Sequence, residues 1–94
     1  MVLERVIVQA IRRMMATRGC WTVKTHGSAF SRGNPDIFAC CRGRFVGFEV
    51  KRDPDDTPTP LQQAVLDLIV AAGGIGACVH SVEEADNVLR QADL

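Results

Sequence analysis

The chain reads as an α/β domain of order α-β-β-β-α-β-α around a central mixed sheet. Three observations predict it: apolar residues recur with helical period near both ends, β-branched and aromatic runs fill residues 20–51, and strong helix caps stand at Thr59 and Ser81. Ninety-four residues suffice for one core and are too few for two, so a single domain spanning 1–94 is expected.

Residues 2–17 carry Leu3, Val6, Ile7, Ala10, Ile11 and Met14 on one side of a helix and Arg5, Gln9, Arg12 and Arg13 on the other. Glu4 falls inside the apolar arc, one turn from Ile7, where a carboxylate facing the sheet needs a partner. Gly19 ends the helix, and 20–24 is a first strand. The polar, glycine-bearing stretch 26–35 is a loop. Residues 36–41 and 45–51 form a hairpin about the turn Arg42-Gly43-Arg44. An acidic, proline-rich linker covers 53–60. Thr59 then caps a second helix with Pro60 in its first turn and Gln62 three residues on, burying Leu61, Val65, Leu68, Ile69 and Ala72 until Gly73-Gly74. Residues 75–79 are a short strand. Ser81 and Glu84 make a capping box for the last helix, with Val82, Ala85, Val88 and Leu89 inward.

No apolar run reaches the roughly 18 residues a membrane span requires. The start carries acid and base within a helical pattern, unlike a signal peptide, so a cytoplasmic protein is expected. Cys20, Cys40, Cys41 and Cys78 lack zinc-ligand spacing and are read as free, mostly buried thiols of a reducing compartment. Zero net charge hides an asymmetry. Residues 1–52 hold ten Lys and Arg against three acids, and 53–94 hold one base against eight. The three acids of the basic half are Glu4, Asp36 and Glu49.

Glu49 and Lys51 lie two apart on a strand and so share a face. Asp36 opens the neighbouring strand, and the short turn brings it beside them. Two carboxylates so close repel unless a cation lies between them. Mg²⁺ or Mn²⁺ prefers oxygen ligands, here Asp36, Glu49 and the Val50 carbonyl. Such a site offers what phosphodiester hydrolysis needs: a polarised phosphate, an activated water, and Lys51 to orient that water or offset developing charge. Alone, a Glu-x-Lys pair on a strand is also an ordinary surface ion pair. Arg12, Arg13, Arg18, Lys24, Arg32, Arg42 and Arg44 are candidates for DNA phosphate contacts. His26 borders Asp36 but reads as a solvated loop histidine, and the few aromatic residues read as core.

The run Pro35-Asp36, twelve residues, then Glu49-Val50-Lys51 resembles the signature of the Pro-Asp…(Asp/Glu)-x-Lys nuclease superfamily. Over about residues 3–82 the chain resembles its VRR-NUC (virus-type replication-repair nuclease) family: a glutamate on the first helix (Glu4), Gly33 before Pro35-Asp36, the Glu49/Lys51 strand, and a glutamine opening the next helix (Gln62). The resemblance implies a restriction-endonuclease-like core and a DNA endonuclease dependent on Mg²⁺ or Mn²⁺. It implies that Glu4 joins the metal-binding carboxylates and that Gln62 stands beside them among the catalytic residues. It further implies a stand-alone domain working in DNA repair as a homodimer on branched DNA such as four-way (Holliday) junctions. Flapped, nicked or simple duplex DNA is the alternative substrate, and a non-catalytic DNA- or protein-binding module on the same fold is the alternative of another class. For Gln62 a purely structural capping role fits the local pattern equally well.

Overall fold

The computed structural model describes residues 2–26 and 32–94; residues 27–31 of the loop read at 26–35 therefore lie outside the described residues. The element order is α1 (Glu4–Thr17), β1 (Trp21–Lys24), β2 (Ile37–Cys41), β3 (Arg44–Val50), α2 (Pro60–Ala71), β4 (Ile75–Val79) and α3 (Val82–Gln91), as the sequence predicts. The four strands lie in the order β1-β2-β3-β4, antiparallel except for the parallel β3/β4 pair, so the sheet is mixed. Among the described residues no helix is long and apolar enough to cross a membrane.

The β2–β3 hairpin closes through Arg42 and Gly43, both at positive φ (49° and 83°), as a two-residue type I′ turn demands. This sets the register Cys41↔Arg44 through Ile37↔Phe48. Alternation then sends Ile37, Ala39, Cys41, Val46, Phe48 and Val50 to one face, where α1 and α3 bury them with Val8, Ile11, Met15, Ala85 and Leu89. Gly47 and Glu49 point to the opposite face, which α2 covers over β3 and β4. The result is three layers, α1/α3 on the sheet on α2.

Helix α2 sits close because residues beneath it lack side chains. A Cβ on Gly76 would fall 2.6 Å from the Leu66 carbonyl oxygen, and one on Gly47 would fall 2.7 Å from Ile69 Cδ1. The α2 cap forms as expected: Gln62 N–H donates to Thr59 Oγ1 (3.2 Å) and Thr59 N–H donates to Gln62 Oε1 (2.9 Å). In α3, Ser81 Oγ accepts from Glu84 N–H (3.1 Å), but the Glu84 carboxylate reaches one residue further back and accepts from the His80 N–H. His80 Nε2 in turn lies 2.9 Å from the Asp56 carbonyl and ties down the acidic linker.

Several expectations are corrected. On α1 the buried line is Val8, Ile11 and Met15, with Ile7, Ala10 and Met14 half-buried and Leu3 and Val6 exposed. The apolar arc is wider than the core it meets, and the sheet selects only part of it. On α2 only Leu66 is buried; Val65 and Ile69 are half-buried, while Leu61, Leu68 and Ala72 are exposed. That helix is apolar around most of its circumference, so periodicity cannot choose its inner face. Nor are the aromatics mainly core among the described residues, since Trp21 is 67% and Phe45 46% exposed. The reading of free thiols fails for Cys20 and Cys41, which form a disulfide, while Cys40 and Cys78 are free. The Cys20 N–H bonds the Met15 carbonyl, turning the end of α1 under the sheet toward inward-facing Cys41. The cysteines therefore give no argument for a reducing compartment.

Gly76→Ala is expected to destabilise the protein by about 2 kcal/mol, because the obstructing atom is backbone and cannot rotate away. That corresponds to roughly 8–16 °C in Tm for a domain this small. An unchanged Tm would show that α2 does not depend on the glycine seat.

Candidate active site

The site forms where the strands of the hairpin end. Asp36 stands one residue before β2, and the register Ile37↔Phe48 places it opposite Glu49. Beyond that pair β3 outruns its neighbour, and the Val50 N–H, with no β2 residue left to bond, donates to Asp36 Oδ2 (2.8 Å). A strand residue's N–H and C=O point to the same side, so the Val50 carbonyl also leaves β3 on the Asp36 edge. The Asp36 main chain is held from β1, whose neighbour Thr25 donates its N–H to the Asp36 carbonyl (2.9 Å) and its hydroxyl to the Pro35 carbonyl (2.7 Å).

Glu49 is only 3% exposed, the sole buried charged residue among those described. Gln62 Nε2 donates to its Oε1 (3.3 Å), and Lys51 Nζ stands 3.9 Å from the same oxygen. Gln62 thus serves the helix cap and the site together. Among the described residues nothing donates to Glu49 Oε2. Burial pushes the Glu49 pKa up from 4.5 to about 8, reinforced by the Asp36 charge and by the hydrogen bond that protonated Glu49 gains to Asp36. Lys51 opposes this, and Glu4 adds a smaller upward push.

Glu4 is exposed in the first turn of α1. It lies on the buried line of that helix, four residues before Val8, but overhangs the end of the sheet. It therefore faces the site without the buried partner expected for it, near enough for its charge to reach Glu49.

Among the described residues no three His, Cys, Asp or Glu side chains come together closely enough to hold a metal ion unaided. The orphaned Oε2 of a buried acid beside a second carboxylate nevertheless fits a hard cation, which would satisfy that oxygen and relieve the repulsion. Asp36, Glu49 and the Val50 carbonyl are the groups placed to hold it, with Glu4 at the rim.

The basic candidates separate. Lys24, at the end of β1, pairs with Ile37 and so stands beside Asp36. Arg12 and Arg13 lie along α1, and Arg32 is exposed just ahead of Gly33, which packs on Leu61 and Val65 of α2. His26 is exposed. Arg42 and Arg44 belong to the opposite end of the hairpin; Arg44 is five residues, about 17 Å, from Glu49. There Arg42 bonds the Asp93 carbonyl and Arg44 Nε the Gly73 carbonyl (3.3 Å), which removes both from the site. Arg18 is paired with Asp86. The structure also brings in Thr25, which sequence reading passed over; its position before the loop carries no signal of a bond to Pro35.

Because Glu49 binds a proton more readily when folded, the native state holds the extra proton between pH 4.5 and about 8, and its stability falls as pH rises through that window. Glu49→Gln keeps the Gln62 contact without the charge. In metal-free buffer the variant should gain in Tm on the wild type progressively from pH 5 to pH 8.5. A pH-independent difference would show that Glu49 is not held protonated by its surroundings.

No family model matches the chain. No curated protein does either. Among solved structures, a chain described as a "VRR_NUC domain" superposes with a TM-score of 0.78 at 24% identity, covering 93% of this chain and 94% of the other. The shared architecture extends over nearly every element that frames Asp36, Glu49 and Lys51, and the chain therefore has the fold of a VRR_NUC domain.

Proposed function

We propose that this chain is a VRR-NUC endonuclease that hydrolyses DNA phosphodiester bonds with Mg²⁺ or Mn²⁺, acting as a homodimer on branched DNA such as four-way junctions. The observation that carries the reading is the buried Glu49 carboxylate, with one oxygen unpartnered, between Asp36 and Lys51 at the sheet end. A divalent ion bound there supplies Lewis-acid polarisation of the scissile phosphate and a water of lowered pKa. Asp36 and Glu49 offer it oxygens. Gln62 holds Glu49 by Oε1 and leaves Oε2 to the ion. Asp36 is fixed by its bond from Val50 N–H through one oxygen and presents the other. The Lys51 ammonium orients the attacking water or offsets charge on the phosphate as the bond breaks.

An outward apolar surface supports the homodimer. The α2 flank Leu61, Val65, Leu68 and Ala72 is spaced at i, i+4, i+7 and i+11, and its last three residues with Ile69 face Phe45 of β3 across a groove of about 290 Å³. Beyond Phe45 the same sheet face continues through Phe38, Val23 and Trp21 without a covering helix among the described residues. A surface this apolar marks an interaction site. Two copies related by a twofold axis would bury it and present two sites, as paired cuts at a junction require. The intact Asp36, Glu49 and Lys51 argue against a purely binding module.

Labelled junction, flap and duplex DNA incubated with Mg²⁺ or Mn²⁺, with and without EDTA, test the activity. Cleavage should require the metal. Asp36→Asn and Glu49→Gln should abolish it while the fold survives, and Lys51→Ala should slow single-turnover cutting by roughly 10²-fold. Wild-type rates in either carboxylate variant would sink the assignment, and equal cutting of all three substrates would leave a general nuclease.

For the dimer, sedimentation at micromolar concentration should give twice the chain mass, and Leu68→Glu should give the monomer. A monomeric wild type with no junction preference removes the resolvase reading.

A further inference from the structure

Most arginines whose partners are described are already occupied. Arg18 and Arg90 share Asp86, and Arg42 and Arg44 bond main-chain carbonyls at the far end of the hairpin. Arg12 differs. It is half-buried, and its Nε and Nη2 donate to the hydroxyl (3.0 Å) and carbonyl (3.4 Å) of Thr22, both neutral acceptors. Among the described residues no carboxylate forms an ion pair with Arg12, Arg13, Arg5 or Lys24. A guanidinium partly withdrawn from water, fixed by two bonds and short of negative charge, is preorganised for an anion.

Its surroundings define the shape of that anion. Gln9, Arg12, Arg13, Ala16 and Thr22 line a groove of about 310 Å³ between α1 and β1, the edge strand of the sheet. It is shallow and has no apolar enclosure for a base or a small ligand. Arg5 lies seven residues before Arg12, on the same flank of α1 and about 10 Å nearer the sheet end. Lys24 follows Thr22 by two residues on the same face of β1, beside the start of β2. Cations thus descend in file from the Asp36/Glu49 end to the groove.

We propose that this groove is a phosphate-binding subsite that grips the DNA backbone about two to four nucleotides from the scissile phosphate, the span that eight helical residues between Glu4 and Arg12 (about 12 Å) cover along a strand. The ligand identity rests on the nuclease reading; the cationic groove without paired carboxylates does not. Contacts of this kind set the register and path of the strand and carry no base preference.

Binding of a fluorescein-labelled 20-base-pair duplex, followed by anisotropy in EDTA across NaCl concentrations, tests the subsite without cleavage. Each phosphate contact adds about 0.9 to the slope of log K against log salt. Arg12→Gln/Arg13→Gln should lower the slope by about 2 and weaken binding about tenfold at 0.1 M salt. Arg13→Gln alone should lower the slope by about 1, and because Arg13 is exposed and forms no ion pair among the described residues it keeps the test valid if the double variant unfolds. Arg18→Gln, which removes equal charge from a paired arginine, should leave the slope unchanged. An unchanged slope in the Arg13 variant, or an equal drop in the Arg18 variant, overturns the subsite. Duplexes with a single neutral methylphosphonate linkage locate it: one position should weaken binding by wild type and not by the double variant, and no such position overturns it. Wild type that binds with these slopes yet never cuts with Mg²⁺ supports the subsite and defeats the nuclease reading alone.

Discussion

The near contact of α2 with the β3/β4 backbone governs both the third layer and the site. Gly76 lies under the Leu66 carbonyl, main chain against main chain, and Gly47 leaves room for the Ile69 side chain, so these two glycines set how closely the helix approaches. Only at that separation does Gln62, in the first turn, reach Glu49. The carboxylate is then sealed from water by the helix that holds it, and its own burial becomes the chief cause of its raised pKa. A bulkier strand pair would admit solvent and leave Glu49 an ordinary surface acid. A buried acid with an unsatisfied oxygen is costly, and a fold tolerates it where the group has work to do.

The site's residues are also parts of the secondary structure. Asp36 completes the ladder where β2 stops short, by taking the Val50 N–H, and Gln62 completes the α2 cap. Their geometry is therefore held by backbone bonds and needs no separate scaffold of side chains. The same economy means that loss of either carboxylate or amide alters an element's end as well as the chemistry, which is why isosteric changes are the informative ones.

Much of this was legible locally. The hairpin turn, the caps at Thr59 and Ser81, and the approach of Asp36 to Glu49 and Lys51 all follow from spacings of a few residues, and the structure reproduces them. Local spacing does not encode what a surface meets. Leu61, Leu68 and Ala72 suit an interior as well as Leu66 does, and only the position of the sheet distinguishes them. The alternation of Cys40 and Cys41 was visible, but not that the turn after α1 would deliver Cys20 to the inward one. Arg42 and Arg44 looked like Arg12 and Arg13 until the turns after α2 and α3, at Gly73 and Asp93, came to meet them.

The Cys20–Cys41 bond closes a ring of chain around β1, β2 and the segment between them, with Asp36 inside it. Closing a loop of 21 residues removes disorder from the unfolded chain equivalent to about 3 kcal/mol, most of it independent of the native contacts. It also divides the polypeptide topologically: a break anywhere between residues 21 and 40 leaves two fragments covalently joined, so that Asp36 remains tethered to the strand carrying Glu49. A single proteolytic nick there would open the chain without releasing either half of the carboxylate pair.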